Sequence, residues 1–324
     1  MHPEPTTAGG DHLVLTEYLF HTYGWRSMSE LRFDGRAVIV TGAGRGVGRS
    51  HALLLASRGA RVVVADLGGE LDGSGSSSEP ADQVVKEIGS AGGEAVACYA
   101  SVADEAGAAS IVQTALDAFG RLDAVINNAG ISDPGVFDTV PVEQFRRMLD
   151  VHYLGTVLVL RAAWPHLRAA GDGRVVNTCS EALAGIHGQV TSYGGAKGAV
   201  LALTLCLAAE SKKDGILVNA VTPRAATRLS DPSVLGKVFD VSEEEAKSMI
   251  APFAPELVSP AAAYLAHQSC QLNGVVLVAG GGQVQRMAVM ANTGISEDGL
   301  MPEHIAANLD TVTDMTSAQV LAWL

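Results

Sequence analysis

Cysteine is scarce in this chain. The four cysteines among 324 residues, Cys98, Cys179, Cys206 and Cys270, form no Cys-x-x-Cys pair. That excludes a disulfide framework and a thiolate metal site, and it suits small buried hydrophobes in a reducing compartment, so a cytoplasmic location and no metal are expected. Basic residues are also in deficit. Twenty-two Lys and Arg stand against 35 Asp and Glu, a net charge of -13. Such a balance argues against a nucleic-acid partner, whose phosphates need a basic footprint, and against anionic membranes. No run of about eighteen uninterrupted apolar residues occurs, so no membrane span is expected. The start, Met1-His-Pro-Glu-Pro, lacks the basic and apolar regions of a signal peptide.

What the chain has in abundance is glycine, 36 residues of it, with 48% hydrophobic content. Both suit a buried parallel sheet with many tight turns. Apolar strand-like runs at Ala37–Thr41, Arg61–Ala65, Ala95–Ala100, Ala124–Ile126, Val175–Cys179, Ile216–Pro223 and Val275–Gly280 alternate with helical stretches. Among the latter, Glu105–Phe119, Val142–Met148, Val151–Ala169 and a long run from Tyr193 are the clearest. Alternation of this kind predicts an α/β fold, a doubly wound parallel sheet with helices on both faces. Residues 33–282 form that single domain in this reading. Residues 1–32 are read as an N-terminal extension without chemistry, with a short helix near Leu13–Phe20, and residues 283–324 as a C-terminal tail.

The first strand runs into Gly42-Ala-Gly-Arg-Gly-Val-Gly48 and then a helix. Glycines between strand and helix let the backbone turn sharply and approach a pyrophosphate, which then sits on the helix N-terminus. The second strand ends in Asp66, eighteen residues after Gly48. A carboxylate there binds the two adenosine-ribose hydroxyls and repels a 2′-phosphate, which points to NAD. Arg45 inside the loop is the counter-signal, since a basic residue there can reach a 2′-phosphate. Expected cofactor contacts are therefore Gly42, Arg45, Gly46, Val47 and Gly48, then Asp66 and Leu67. Ser101 and Val102 follow after the third strand. Asn128, Ala129 and Gly130, in Asn127-Asn-Ala-Gly130, are small enough to let backbone pass close to the cofactor. Tyr193, Lys197, Pro223, Ala225 and Thr227 complete the set.

The stretch Ser180–Lys197 carries the chemistry. Tyr193 and Lys197 are four apart on a predicted helix, hence on one face. An ammonium near a phenol favours the phenolate and is expected to lower the tyrosine pKa, so that the phenol can exchange a proton with an alcohol or ketone. Ser180 ends a strand and can hydrogen-bond the same oxygen. Together the three are the parts needed for hydride transfer at a carbon–oxygen bond.

With these motifs in place, residues 33–282 resemble the short-chain dehydrogenase/reductase family, through Thr41-Gly-Ala-Gly-Arg-Gly-Val-Gly, Asn127-Asn-Ala-Gly, Ser180, Tyr193-x-x-x-Lys197 and Pro223. The resemblance implies a Rossmann fold with a nicotinamide cofactor, Tyr193 as acid/base, Ser180 as anchor of the substrate oxygen and Lys197 on the nicotinamide ribose. A closer resemblance is to the (3R)-hydroxyacyl-CoA dehydrogenase domain of peroxisomal multifunctional enzyme type 2 and its bacterial relatives. It rests on Ala65-Asp-Leu-Gly-Gly, Arg161-Ala-Ala-Trp-Pro-His-Leu, Gly185-Ile-His-Gly-Gln, Leu265-Ala-His-Gln-Ser-Cys and Met301-Pro-Glu-His-Ile-Ala-Ala-Asn. Two departures stand out. His152, in His152-Tyr-Leu-Gly155, occupies the place of an asparagine that completes a proton relay through water and the lysine; it either holds that water or is a buried structural residue. The usual Pro-Gly after the sixth strand is Pro223-Arg224.

The substrate expected from the resemblance is a 3-hydroxyacyl-CoA, with a hydroxysteroid or a non-catalytic nucleotide-binding subunit as alternatives. Arg224, Arg228 and Arg286 are the candidates for CoA phosphates and His187 for the pocket wall, each weighed against plain solvation or a turn. The helices Val151–Ala169 and Tyr193–Ser211 are apolar around most of their circumference. One side faces the sheet and the other is expected to meet a second subunit, giving a homodimer or homotetramer. Met287, Val289, Met290, Ile305, Leu309 and Trp323 make the tail more apolar than a solvated terminus. It is expected to pack in order and shape a substrate pocket, its own subunit's or its partner's.

Overall fold

Five residues without a charged side chain, Ala37-Val-Ile-Val-Thr, form strand β1 (Ala37–Thr41), and all five are buried. A strand buried on both faces needs helices on both sides. The computed structural model describes residues 29–185 and 188–321 and supplies them. The expected N-terminal helix near Leu13–Phe20, the pocket candidate His187 and Trp323 lie outside the described residues. By its contacts the chain divides into Met1–Arg32 and Phe33–Leu324, and the sheet belongs to the second unit.

In chain order, β1 is followed by α1 (Gly46–Ser57), β2 (Arg61–Ala65), α2 (Glu79–Ser90), β3 (Glu94–Cys98), α3 (Glu105–Phe119), β4 (Ala124–Asn127), α4 (Val142–Leu149) and α5 (Gly155–Ala170). Then come β5 (Arg174–Thr178), α6 (Thr191–Glu210), β6 (Leu217–Pro223), α7 (Pro232–Phe239), α8 (Glu243–Ile250), α9 (Ser259–Ala266), β7 (Val276–Gly280) and β8 (Gln283–Met287). The sheet order is β3-β2-β1-β4-β5-β6-β7-β8. Alternation along β1 divides the core in two. Val38 and Val40 pack with Leu55 and Leu265 on one face, and Ile39 with Ile111, Val159 and Leu167 on the other. Strand order reverses between β1 and β4, which opens a crevice at their C-terminal ends, the ordinary ligand position of such a sheet.

Three local differences from the sequence reading have physical causes. The sheet is parallel through β7, but β8 runs antiparallel to β7. Residues Gln283–Met287, assigned to the tail, are thus its eighth strand. The turn is Gly281-Gly282, at φ +57° and +78°, and two consecutive left-handed residues form the tight hairpin that matches sheet twist. Second, the expected helices Val142–Met148 and Val151–Ala169 are continuous. A π-helical segment, Asp150–Leu154, joins α4 to α5 and contains His152. Third, α7, α8 and α9 fill the interval between β6 and β7 that the sequence reading left without elements.

Beyond β8 the chain adds a two-stranded ribbon, β9 (Met290–Ala291) with β10 (Gln319–Val320), and two short helices, α10 (Pro302–Ala307) and α11 (Leu309–Thr313). The tail is ordered in its own elements, yet its apolar side chains Leu300, Met301, Leu309, Met315 and Leu321 are all at least half exposed.

At the N-terminal edge of the sheet Arg174 is only 4% exposed. Its guanidinium donates to the carbonyls of Asp172, Gly173, His267, Gln268 and Cys270. Five planar donors spread over five acceptors cannot be matched by an ammonium. Arg174→Lys is expected to lower unfolding stability by roughly 2–4 kcal/mol through stranded carbonyls. Denaturant titration checks this, and a change below 0.5 kcal/mol (about the scatter of a neutral surface change) would contradict it.

Candidate active site

The crevice between β1 and β4 begins with a clamp on the β1 exit. Thr41 Oγ1 accepts the N–H groups of Asn128 and Ala129, each at 3.0 Å. The Asn128 amide returns the contact by donating to the carbonyls of Thr41 and Gly42, at 3.0 and 3.1 Å. Glycines are needed where the loop folds back: a Cβ on Gly48 would stand 2.1 Å from the Gly42 carbonyl oxygen. Helix α1 starts at Gly46 with no side-chain cap and no acidic residue in its first turn. Its N–H groups remain available to a phosphate. At the end of β2 the Asp66 carboxylate accepts from the N–H groups of Gly44 and Gly68, both at 2.7 Å. An open helix N-terminus, a backbone cradle and an acidic strand end fit a dinucleotide in chemistry and in placement.

The second half of the site comes from β5, α6 and the π segment. Lys197, on the inward face of α6, is 4% exposed and donates to the Thr178 carbonyl at 2.7 Å. Its ammonium lies 5.6 Å from the centre of the Tyr193 ring. Burial pushes the Lys197 ammonium down to about 8, and the neighbouring Cys179 opposes this only in part. Cys179 itself is a buried thiol raised to about 11 by desolvation, a core residue. Tyr193 hydrogen-bonds Ser180, but desolvation outweighs that bond and moves the phenol above its ordinary range. The expectation of a lowered tyrosine pKa is thus reversed. The lysine ammonium donates to the Thr178 carbonyl, and desolvation of the phenol is the larger effect.

His152 is 2% exposed and its ring meets that of Tyr193 edge to face, with centroids 5.2 Å apart. Nε2 lies 2.9 Å from the Ile131 carbonyl oxygen and 3.2 Å from the Ile131 nitrogen. The shorter contact assigns the proton to Nε2, which leaves Nδ1 as a buried lone pair with no protein partner among the described residues. Desolvation and the Lys197 charge hold this imidazole well below the usual histidine range, so it is neutral. Gly130 makes room for it, since a Cβ there would lie 2.5 Å from His152 Cε1.

Every catalytic and cofactor-contact candidate named from the sequence lines one cleft of about 600 Å³: the glycine loop with Arg45 and Val47, Asp66, Leu67, Ser101, Val102, Asn128–Gly130, His152, Ser180, Tyr193, Lys197, Pro223, Ala225 and Thr227. The cofactor-side and chemistry-side residues, up to 155 positions apart in sequence (197 − 42), therefore share one space. The chain matches the family described as short chain dehydrogenase over residues 36–230. It is a short-chain dehydrogenase/reductase. A short-chain type dehydrogenase/reductase of Mycobacterium tuberculosis is 45% identical over 88% of this chain and 96% of that protein. Peroxisomal multifunctional enzyme type 2 of Drosophila melanogaster is 38% identical over 91% of this chain but only 48% of its own length, and its full-length structure superposes with a TM-score of 0.70. A 7α-hydroxysteroid dehydrogenase, solved with NADH and 7-oxo glycochenodeoxycholic acid, is 28% identical over 79% of this chain and 98% of its own, with a TM-score of 0.68. This dehydrogenase is therefore an oxidoreductase that acts on CH–OH groups with a nicotinamide cofactor.

The cleft also contains residues that the sequence reading did not single out. Ile131, Pro134, Val151, Val190, Leu235 and Phe239 give the chemistry end an apolar wall. They come from loops, from the π segment (Val151) and from α7 (Leu235 and Phe239), where no spacing rule connects them to Tyr193. Of the three arginines considered for CoA, Arg228 lines the cleft and donates to the Gly69 carbonyl at 3.1 Å, alongside Arg45 at 3.2 Å. Arg224 pairs with Glu181 and Arg286 sits exposed on β8. No described residue beyond Phe239 lines the cleft of its own chain, the tail included.

Burial of these two groups has measurable consequences. A lysine whose folded value lies below its unfolded 10.5 opposes folding while charged. That penalty is complete below about pH 8 and fades as pH rises towards 10.5. Wild type should therefore gain on the order of 3 kcal/mol over Lys197→Met across that window, read from paired denaturant titrations. Parallel pH profiles would show that Lys197 is not desolvated. For His152, NMR should find ring signals that do not titrate around pH 6.5, and a normal midpoint would refute the neutral assignment.

Proposed function

We propose that this enzyme interconverts a 3-hydroxyacyl-CoA and its ketone with NAD, Tyr193 serving as acid/base. The observation that carries the reading is the convergence of Ser180, Tyr193 and Lys197 on the cleft that also holds the glycine loop and Asp66. In the oxidative direction Tyr193 Oη takes the substrate hydroxyl proton, and Ser180 Oγ donates to the same oxygen as its charge changes. A nicotinamide held by the glycine loop and Asp66 would supply the hydride acceptor. Lys197 acts through charge beside the phenol and through its reach to the nicotinamide ribose. The Ser180 hydrogen bond also favours the phenolate and offsets part of its desolvation. His152 Nδ1, a buried lone pair with no partner among the described residues, would accept from a water that passes the proton onward from Lys197.

NAD is favoured over NADP because Asp66 closes the end of β2, where a 2′-phosphate would meet a carboxylate. Support for the acyl-CoA comes from the length and level of the match to the multifunctional enzyme. A hydroxysteroid is the second reading, favoured by the apolar wall of Ile131, Val190, Leu235 and Phe239 and by the 7α-hydroxysteroid dehydrogenase neighbour. A homodimer or homotetramer in the cytoplasm completes the proposal. Helix α6 leaves part of its apolar surface, Leu205 included, at least one-third exposed.

Fluorescence titration should give NADH at least tenfold tighter binding than NADPH, about 1.4 kcal/mol. Equal affinities would mean that Arg45 and Arg228 dominate Asp66. NADH formation from a panel of 3-hydroxyacyl-CoAs and hydroxysteroids then chooses the substrate class, with Tyr193→Phe expected to lose at least a hundredfold in kcat. Turnover of steroids alone would transfer the proposal to the second reading, and an active Tyr193→Phe would end it.

A further inference from the structure

Beside Ser180 stands an ion pair to which the hydride-transfer mechanism assigns no role. Ser180 caps the 3-10 turn Glu181–Ala184, its Oγ accepting the Ala182 N–H at 3.2 Å. Glu181 is thus the first residue after the hydroxyl that is to hold the substrate oxygen. Arg224 is the first residue after Pro223, at the end of β6. Arg224 Nε donates to Glu181 Oε2 at 2.8 Å and Nη2 to Oε1 at 2.6 Å. Two parallel charge-assisted bonds between planar groups fix distance and angle together.

Both ends of this bridge are anchored to the sheet. The Arg224 N–H donates to the Ala279 carbonyl at 2.8 Å. Gly280 of β7 lies so close that a Cβ on it would stand 2.1 Å from the Arg224 carbonyl oxygen and 2.7 Å from its Cβ. On the other side the Cys179 N–H donates to the Val221 carbonyl at 2.9 Å, and Thr178 carries the Lys197 bond. The pair therefore spans the exits of β5 and β6, one bearing Ser180 and the other the cofactor shelf of Pro223. Its side chains are 34% and 27% exposed, so little stability comes from it. Geometry is what remains for it to supply. A glycine after Pro223, the residue usual in the family, could not make this tie.

We propose that Glu181 and Arg224 form a positioning pair that holds the Ser180 hydroxyl in register with the cofactor bound at Pro223. The proposal rests on the reading that Ser180 holds the substrate oxygen. Placement errors of a fraction of an ångström at a reacting centre cost rate rather than affinity for a distant group.

The test is a double-variant cycle in the full-length enzyme, comparing Glu181→Gln, Arg224→Gln and the combination, with Ser180→Ala in parallel. NADH with acetoacetyl-CoA, or with a ketosteroid if that is the compound turned over, gives kcat and KM. Direct titration gives the NADH dissociation constant. Each single variant is expected to lose about tenfold in kcat with NADH affinity unchanged, and the double variant to be no slower than the worse single. Arg224→Lys, which keeps the charge but not the fork, should recover only part of the loss. Multiplying losses, unchanged kcat in the singles, or a joint fall in NADH affinity and melting temperature would each overturn the pair as a positioning device. Wild-type activity in Ser180→Ala would instead overturn the reading beneath it, a separate and recognisable failure.

Discussion

A lysine ammonium buried against the sheet is the constraint around which this site is built. Lys197 is 4% exposed, and it cannot be there without acceptors and a path for its charge. The Thr178 carbonyl at the end of β5 supplies the first. Thr178 follows the buried polar ladder Asn127–Asn177–Thr204, which joins β4, β5 and α6 at 3.0 Å per link. Helix α6 is therefore held at a set height against β4 and β5, and Tyr193, one turn before Lys197, is set with it. The same burial that lowers the lysine raises the phenol, so two groups of similar proton affinity in water are driven apart, with the phenol holding its proton more tightly than the ammonium.

Most of the architecture could be read from the chain because parallel strands buried on two faces announce themselves as apolar runs. Ala37–Thr41 and Arg61–Ala65 lie where their hydrophobic runs begin and end. The glycine loop and the Tyr193/Lys197 spacing were legible for a related reason: both lie within a local strand–helix unit, where a fixed number of residues means a fixed direction in space. Legibility fails where contacts are long-range. Nothing local to Glu181 indicates Arg224, 43 positions away, and nothing in Ile131 or Phe239 points at Tyr193. The antiparallel β8 was missed because Gln283–Met287 was read as the start of the tail, and its pairing with β7 is made through the Gly281-Gly282 turn. Tyrosine acidity failed for a different cause. The sequence reveals a neighbouring charge but not the depth of burial, and depth outweighed charge.

Substrate placement follows the same division. The residues proposed to meet the cofactor sit at strand ends and on the helices that follow β1 and β5, packed on one sheet. Those that form the apolar wall come from the loop after β4, the π segment, the segment before α6 and helix α7. Such a division lets substrate choice drift while the hydride-transfer geometry stays fixed, which agrees with relatives as different as a multifunctional peroxisomal enzyme and a steroid dehydrogenase.

The contact between His152 and Gly130 limits how this chain can change. With the imidazole in place, even a methyl at position 130 would sit 2.5 Å from a ring carbon. A smaller side chain at 152 would open that space. Alanine at 130 is thus closed to the chain as it stands and open to one that has first lost its histidine. The two positions form an ordered pair of steps, and a lineage carrying the histidine carries with it a glycine it can no longer exchange.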